Sequence, residues 1–186
     1  MNTKKYKTLF FSFVLLLGFQ MVCAAELDGE TIPSDITYQG STFVINGCGT
    51  REMLWHKLYQ ASLYLNEKTS NIEKIMNQNT AKLLRLQVLY EKNLPDEIPN
   101  IWQEPLEEEI SKELFKLLQN LYSDLNTRDV LLFIYDPDSG TKVSKNGNTL
   151  VTATDSVLMD TLLENWLGDE PVSSNLKRLL LDKDCP

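Results

Sequence analysis

Asn146-Gly147 stands between two stretches of strand-forming composition, Gly140 to Lys145 and Asn148 to Ala153. An Asn-Gly pair supplies the positive φ angles of a two-residue turn, so the flanking stretches must fold back on each other as a hairpin. Just before them, Val130-Leu131-Leu132-Phe133-Ile134-Tyr135 is an unbroken apolar run bounded by Asp129 and Asp136-Pro137. That is the pattern of a strand covered on both faces. Three successive strands with no room for a crossover helix between them commit the chain to an antiparallel sheet.

Similar patterning extends upstream. Thr42 to Gly47 is strand-forming, and Gly47 and Gly49 flank Cys48, marking a bulge or a close backbone approach. From Trp55 to Leu65 the odd positions Trp55, Tyr59, Ala61, Leu63 and Leu65 are apolar, which predicts a half-buried strand. Leu83 to Tyr90 is a further strand, with Leu84, Leu86, Val88 and Tyr90 on one face and Arg85 and Gln87 on the other. Ser70-Asn71-Ile72-Glu73 has the form of a capping box and opens a short helix through Met76. A helix is predicted from about Asp96, kinked or restarted at Pro105, because proline lacks the amide hydrogen and collides with the preceding turn. Beyond it Leu106, Ile110, Leu114, Leu117, Leu121 and Leu125 form an amphipathic stripe. Asp155 caps a helix that Gly168 ends, and Ser173 or Ser174 caps a last one carrying Leu176, Leu179 and Leu180. Hairpins without crossover helices, together with helices that must cover one side of the sheet, give an α+β class.

The 186 residues suit one domain. The net charge of −8 and a pI near 4.7 argue against nucleic acid and against anionic lipid as partners. Lys4, Lys5 and Lys7, then the apolar run Leu9 to Leu17, then Cys23-Ala24-Ala25, have the order of a secretory signal over residues 1–25. An uncleaved anchor is the other reading, although the run is short for a span and no second one follows. Cleavage after Ala25 removes lysines only, leaving a more acidic exported protein, periplasmic or secreted. Residues 26–35 then read as a flexible lead-in, 36–182 as the domain and 183–186 as a tail. Cleavage also removes Cys23, so Cys48 and Cys185 remain in a compartment that permits disulfides. They either bond to each other or stay apart, Cys48 as a small buried residue and Cys185 as a tail thiol.

Chemistry-bearing patterns are few. The single histidine, His56, and the absence of a C-x-x-C pair leave no metal cage and no cofactor to expect. His56 falls on the polar face of its strand, a poor base for a triad, and no catalytic residue stands out. Arg51 follows the Gly47-Cys48-Gly49-Thr50 turn, and Tyr59 lies on the strand that returns beside it. If the two strands pair around residues 52 to 55, a guanidinium fork and a phenol meet at one end of an apolar layer. Such a pair can fix a carboxylate or phenolate head group while aliphatic residues sheathe the tail. The alternative is an Arg51 paired to a local acid such as Glu52 and a Tyr59 that merely packs.

Asn46-Gly47-Cys48-Gly49-Thr50-Arg51, Lys57-Leu58-Tyr59 with Leu63-Tyr64-Leu65, Gly140-Thr141-Lys142-Val143 with Asn146-Gly147, and Trp166-Leu167-Gly168 with Pro171-Val172 and Leu176-Lys177 together resemble the chalcone isomerase-like domain of exported bacterial proteins. The resemblance spans about residues 36 to 182. It implies an open-faced β-sandwich, a large antiparallel sheet with a layer of helices on one side enclosing a ligand cleft. Plant chalcone isomerases use an arginine from this Gly-x-Arg turn and a threonine on the next strand. Arg51 matches the arginine, whereas the threonine position carries Tyr59, and Pro105 stands where bacterial relatives have glycine. Non-catalytic members of the fold bind fatty acids through an arginine and a tyrosine at about these positions. The resemblance therefore implies a binder of a small amphipathic acid such as a fatty acid. An isomerase or intramolecular lyase acting on a phenolic or enone substrate, and a protein-interaction module with a filled cleft, are the alternatives.

Overall fold

A computed structural model describes residues 24–91 and 95–185; the signal read over residues 1–25 lies outside them apart from Ala24 and Ala25. The chain forms β1 (Ala24–Leu27), β2 (Glu30–Pro33), β3 (Asp35–Tyr38), β4 (Ser41–Met53), β5 (His56–Leu65), α1 (Ile72–Met76), β6 (Lys82–Val88), α2 (Asn100–Glu109), α3 (Lys112–Ser123), β7 (Val130–Asp136), β8 (Gly140–Lys145), β9 (Asn148–Ala153), α4 (Val157–Leu167) and α5 (Ser174–Leu180). Strands β3 to β9 make one antiparallel sheet in sequence order, and β1 and β2 pair separately. The seven-stranded sheet is curled, with the helices on one side, as the resemblance implied.

Alternation sorts the side chains into two cores. Ala61, Leu63, Leu84, Leu131, Phe133 and Val143 meet the apolar faces of the helices. On the opposite face Phe43, Ile45, Cys48, Tyr64, Leu83 and Ile134 form a smaller core with Ile32. The lead-in expected to be loose is thus a cover: β1 and β2 form a hairpin whose Ile32 is fully buried. It has no long apolar run because it buries one face only. β5 is correspondingly buried on both faces over most of its length rather than half-buried. Beneath the hairpin the guanidinium of Arg85 donates to Oε1 of Gln60 (3.3 Å) and of Gln87 (2.6 Å), and Gln87 Nε2 donates to Glu30 (2.7 Å). These are the polar residues that the alternation of β6 turned away from the helices.

The cap of α1 is Asn71, whose side chain accepts from Lys74 N, and not Ser70. Pro105 lies inside α2 without ending it; the break falls later, where Ser111 caps α3. The Asn146-Gly147 turn (φ 51° and 84°) joins β8 to β9 as its sequence requires. At the other end of the chain Cys48 and Cys185 are bonded, with 5.1 Å between their Cα atoms, so the first of the two readings of these cysteines holds. No helix among the described residues is long and apolar enough to cross a membrane.

Candidate functional site

β4 and β5 place the two residues singled out from the sequence. The ladder shifts by a bulge between Ile45 and Gly47, and Gly47 and Gly49 then face α5 so closely that side chains would not fit. A Cβ on Gly47 would lie 2.3 Å from the carbonyl oxygen of Leu179, and one on Gly49 would lie 2.7 Å from the Leu179 side chain. The close approach read from the paired glycines is therefore where the last helix docks. Asn46 locks it, donating 2.9 Å to Leu180 O while its own oxygen accepts from Thr69 N at 2.7 Å.

Two residues beyond Gly49, Arg51 pairs directly with Tyr59 across the ladder. Directly opposed residues share a face, here the face of Ala61 and Leu63 that looks toward the helices. A second bulge follows immediately between Arg51 and Glu52, a feature that ends regular pairing and re-aims side chains beside it. Arg51 is half-buried, and its guanidinium donates to the carbonyl oxygen of Glu52 rather than to a carboxylate. Among the described residues it has no ion-pair partner, unlike Lys57, Arg128, Lys145 and Arg178. A cation that has lost part of its water and gained no counter-ion is poised for an anion.

Tyr59 has the opposite character. Burial pushes its phenol up to about 12, although the Trp166 N–H and the Arg51 charge both pull it down. It is consequently a neutral hydrogen-bond donor at any physiological pH. Its oxygen accepts from Trp166 Nε1 at 3.2 Å, and the O–H has no acceptor among the described residues. Trp102 from α2 and Trp166 from α4 close an aromatic triangle around it. The ring centroids lie 6.5 Å (Tyr59 to Trp102), 6.2 Å (Tyr59 to Trp166) and 5.3 Å (Trp102 to Trp166) apart. Nothing in the sequence marks the two tryptophans as part of the site, because each reads as an ordinary helix residue. Only the α2 and α4 packing brings them to Tyr59.

Two hollows lie elsewhere. One, of about 570 Å³, runs between α2 and α4 and is lined by Met76, Pro105 and Val157 beneath Glu104, Glu108 and Glu164. The other, of about 320 Å³, lies between α3 and β9. Neither is lined by Arg51 or Tyr59. The aromatic triangle packs around the Tyr59 ring on the helix-facing side of the sheet. His56 is exposed and edge-on to Tyr90, with ring centroids 5.8 Å apart. No group of three or more metal-ligating side chains is present among the described residues.

The profile of a family described as chalcone isomerase-like matches residues 24–182. Among solved structures, a fatty-acid binding protein from Arabidopsis thaliana is similar with a TM-score of 0.65 and 19% identity, over 86% of this chain and 96% of that one. Comparison with curated protein sequences finds no match.

Proposed function

Because the chain belongs to the chalcone isomerase-like family, we propose that it is an exported, non-catalytic binder of a small amphipathic acid, with a fatty acid as the representative ligand. The observation that carries this reading is the pairing of Arg51 with Tyr59 on the helix-facing side of the sheet. Among the described residues Arg51 has no carboxylate partner and the neutral Tyr59 O–H no acceptor. A carboxylate satisfies both, and the aliphatic residues between sheet and helices accept the tail. The likeness in fold to a protein named for fatty-acid binding supports the ligand class. The signal-like order of residues 1–25 supports export.

Titration of the protein with oleate tests the site. Wild type binds one equivalent, and the emission of Trp102 and Trp166 changes because both rings flank the head group. Arg51→Ala weakens binding about ten- to hundredfold, the usual worth of a hydrogen bond to a charged group. Tyr59→Phe weakens it about tenfold, the lower end of the same range, because its O–H donates to the same carboxylate. A wild type that declines oleate, or an Arg51→Ala protein that binds equally well, rules the reading out. Turnover of an added chalcone that disappears in Arg51→Ala would place the protein with the isomerases instead.

A further inference from the structure

Four two-residue hairpin turns occur among the described residues, and three of them follow the chemistry of such turns. Asp28-Gly29, Gln39-Gly40 and Asn146-Gly147 each put a glycine at the second positive φ. The fourth, between β4 and β5, uses Leu54 and Trp55 at φ 47° and 66°. Bulky side chains rarely adopt this conformation, and neither is repaid by burial. Trp55 is 96% exposed, Leu54 73% and the adjoining Met53 52%. The alternation of β5 predicts Trp55 on a buried face; the turn instead throws it outward.

Contacts on either strand tie down the residues flanking the tip. Asp28, in the turn of the covering hairpin, accepts from Thr50 on β4 and pairs with Lys57 on β5 (2.5 Å). His56 rests edge-on against Tyr90. The outcome is a protruding knob of three large, exposed apolar side chains at one end of the long hairpin that carries Arg51 and Tyr59.

We infer that Met53, Leu54 and Trp55 form an interfacial anchor that docks the protein on the surface of a zwitterionic lipid bilayer. A small protruding knob suits a deformable medium, whereas a specific protein interface needs about 20–30 residues a side. Tryptophan favours the headgroup boundary, and leucine and methionine suit the acyl region below it. The charges at the hairpin end cancel, Arg51 and Lys57 against Glu52 and Asp28, and the chain as a whole carries −8. Attraction to anionic lipid is therefore not the driving term, and the docking is insensitive to salt. Docked in this way, the hairpin brings the Arg51 and Tyr59 pair toward the source of an amphipathic acid. That link rests on the function proposed above, but the docking itself does not.

Vesicles of phosphatidylcholine, with and without bromine on the acyl chains, test the inference. Wild type partitions onto them in both low and high salt, and brominated lipid quenches the exposed Trp55. Leu54→Asn combined with Trp55→Gly installs the turn used elsewhere in the chain. This variant keeps the wild-type circular dichroism, melts at the same or a higher temperature, still binds soluble oleate, and partitions at least tenfold more weakly. Arg51→Ala partitions like wild type, so failure of the head-group site and failure of the anchor are separable. Absence of quenching at excess lipid, equal partitioning of the double variant, or a Trp55 shift that follows protein concentration without lipid would each overturn the inference. The last would mark a contact between copies of the chain.

Discussion

Arg51 and Tyr59 are directly opposed on neighbouring strands, yet their surroundings give them contrary roles. Arg51 lacks a counter-ion among the described residues, whereas burial fixes Tyr59 as the neutral acid. This has a consequence at alkaline pH. A phenol whose folded value is raised to about 12 holds its proton more tightly in the folded than in the unfolded chain. Its contribution is intact below about pH 10, the unfolded value, and is lost as pH rises through 12. The other raised phenols, Tyr64, Tyr122 and Tyr135, act in the same direction. Removing this one in Tyr59→Phe should flatten the fall in stability between pH 10 and 12 by about 2 kcal/mol, measured by urea unfolding at each pH. An alkaline limb identical to wild type would show that Tyr59 is hydrated in solution.

At the scale of elements, the covering hairpin of β1 and β2 shows how one turn can organise another. Asp28 reaches from its own turn to Thr50 and Lys57 on the two strands of the long hairpin. Those two partners, the Lys57 contact first, hold the Asp28 carboxyl below its ordinary value in spite of partial burial. A carboxyl with a lowered folded value stabilises above its unfolded value of about 3.9 and ceases to do so as pH falls through the folded one. The protection of residues 24–33 against hydrogen exchange, taken relative to the intrinsic rate at each pH, should therefore fall below about pH 4 with the main sheet still protected. Asp28→Asn should show the lower protection already at neutral pH and little further change on acidification. Equal protection of the hairpin in the two proteins at pH 7 would assign its docking to Ile32 alone.

The whole molecule is closed by the bond between Cys48 and Cys185, which are 137 residues apart in sequence. It ties the tail after α5 to the face of β4 opposite the helices, so helix and tail grip one strand from both sides. Loop entropy sets the worth of such a closure at roughly 5 kcal/mol, and native disulfides deliver about 2–5. Cys48→Ser combined with Cys185→Ser should melt about 10 °C lower than the oxidised wild type, and reduced wild type should match the double variant. A shift under a degree or two would mean that the packing of α5 against Gly47 and Gly49 already holds the tail.

Much of this was legible residue by residue. Asn146-Gly147 and the runs around it demanded an antiparallel sheet, and the alternation along β6 told Leu84 and Leu86 from Arg85 and Gln87. Even the meeting of Arg51 with Tyr59 was accessible, since a hairpin's register depends on neighbours a few positions apart. Those features rest on local backbone preference and on periodicity, which a sequence carries in full. The rest depended on contacts between distant segments. Ile32 is core only because its hairpin lies on the second face of the sheet, and Tyr59 is a stubborn acid only because Trp102 and Trp166 arrive from α2 and α4. Trp55 has the spacing of a buried residue and is the most exposed large apolar one among the described residues, because the turn it occupies overrides the alternation of the strand. Burial and desolvation belong to the assembled fold, and these determine where the charge, the proton and the apolar tip of this protein can act.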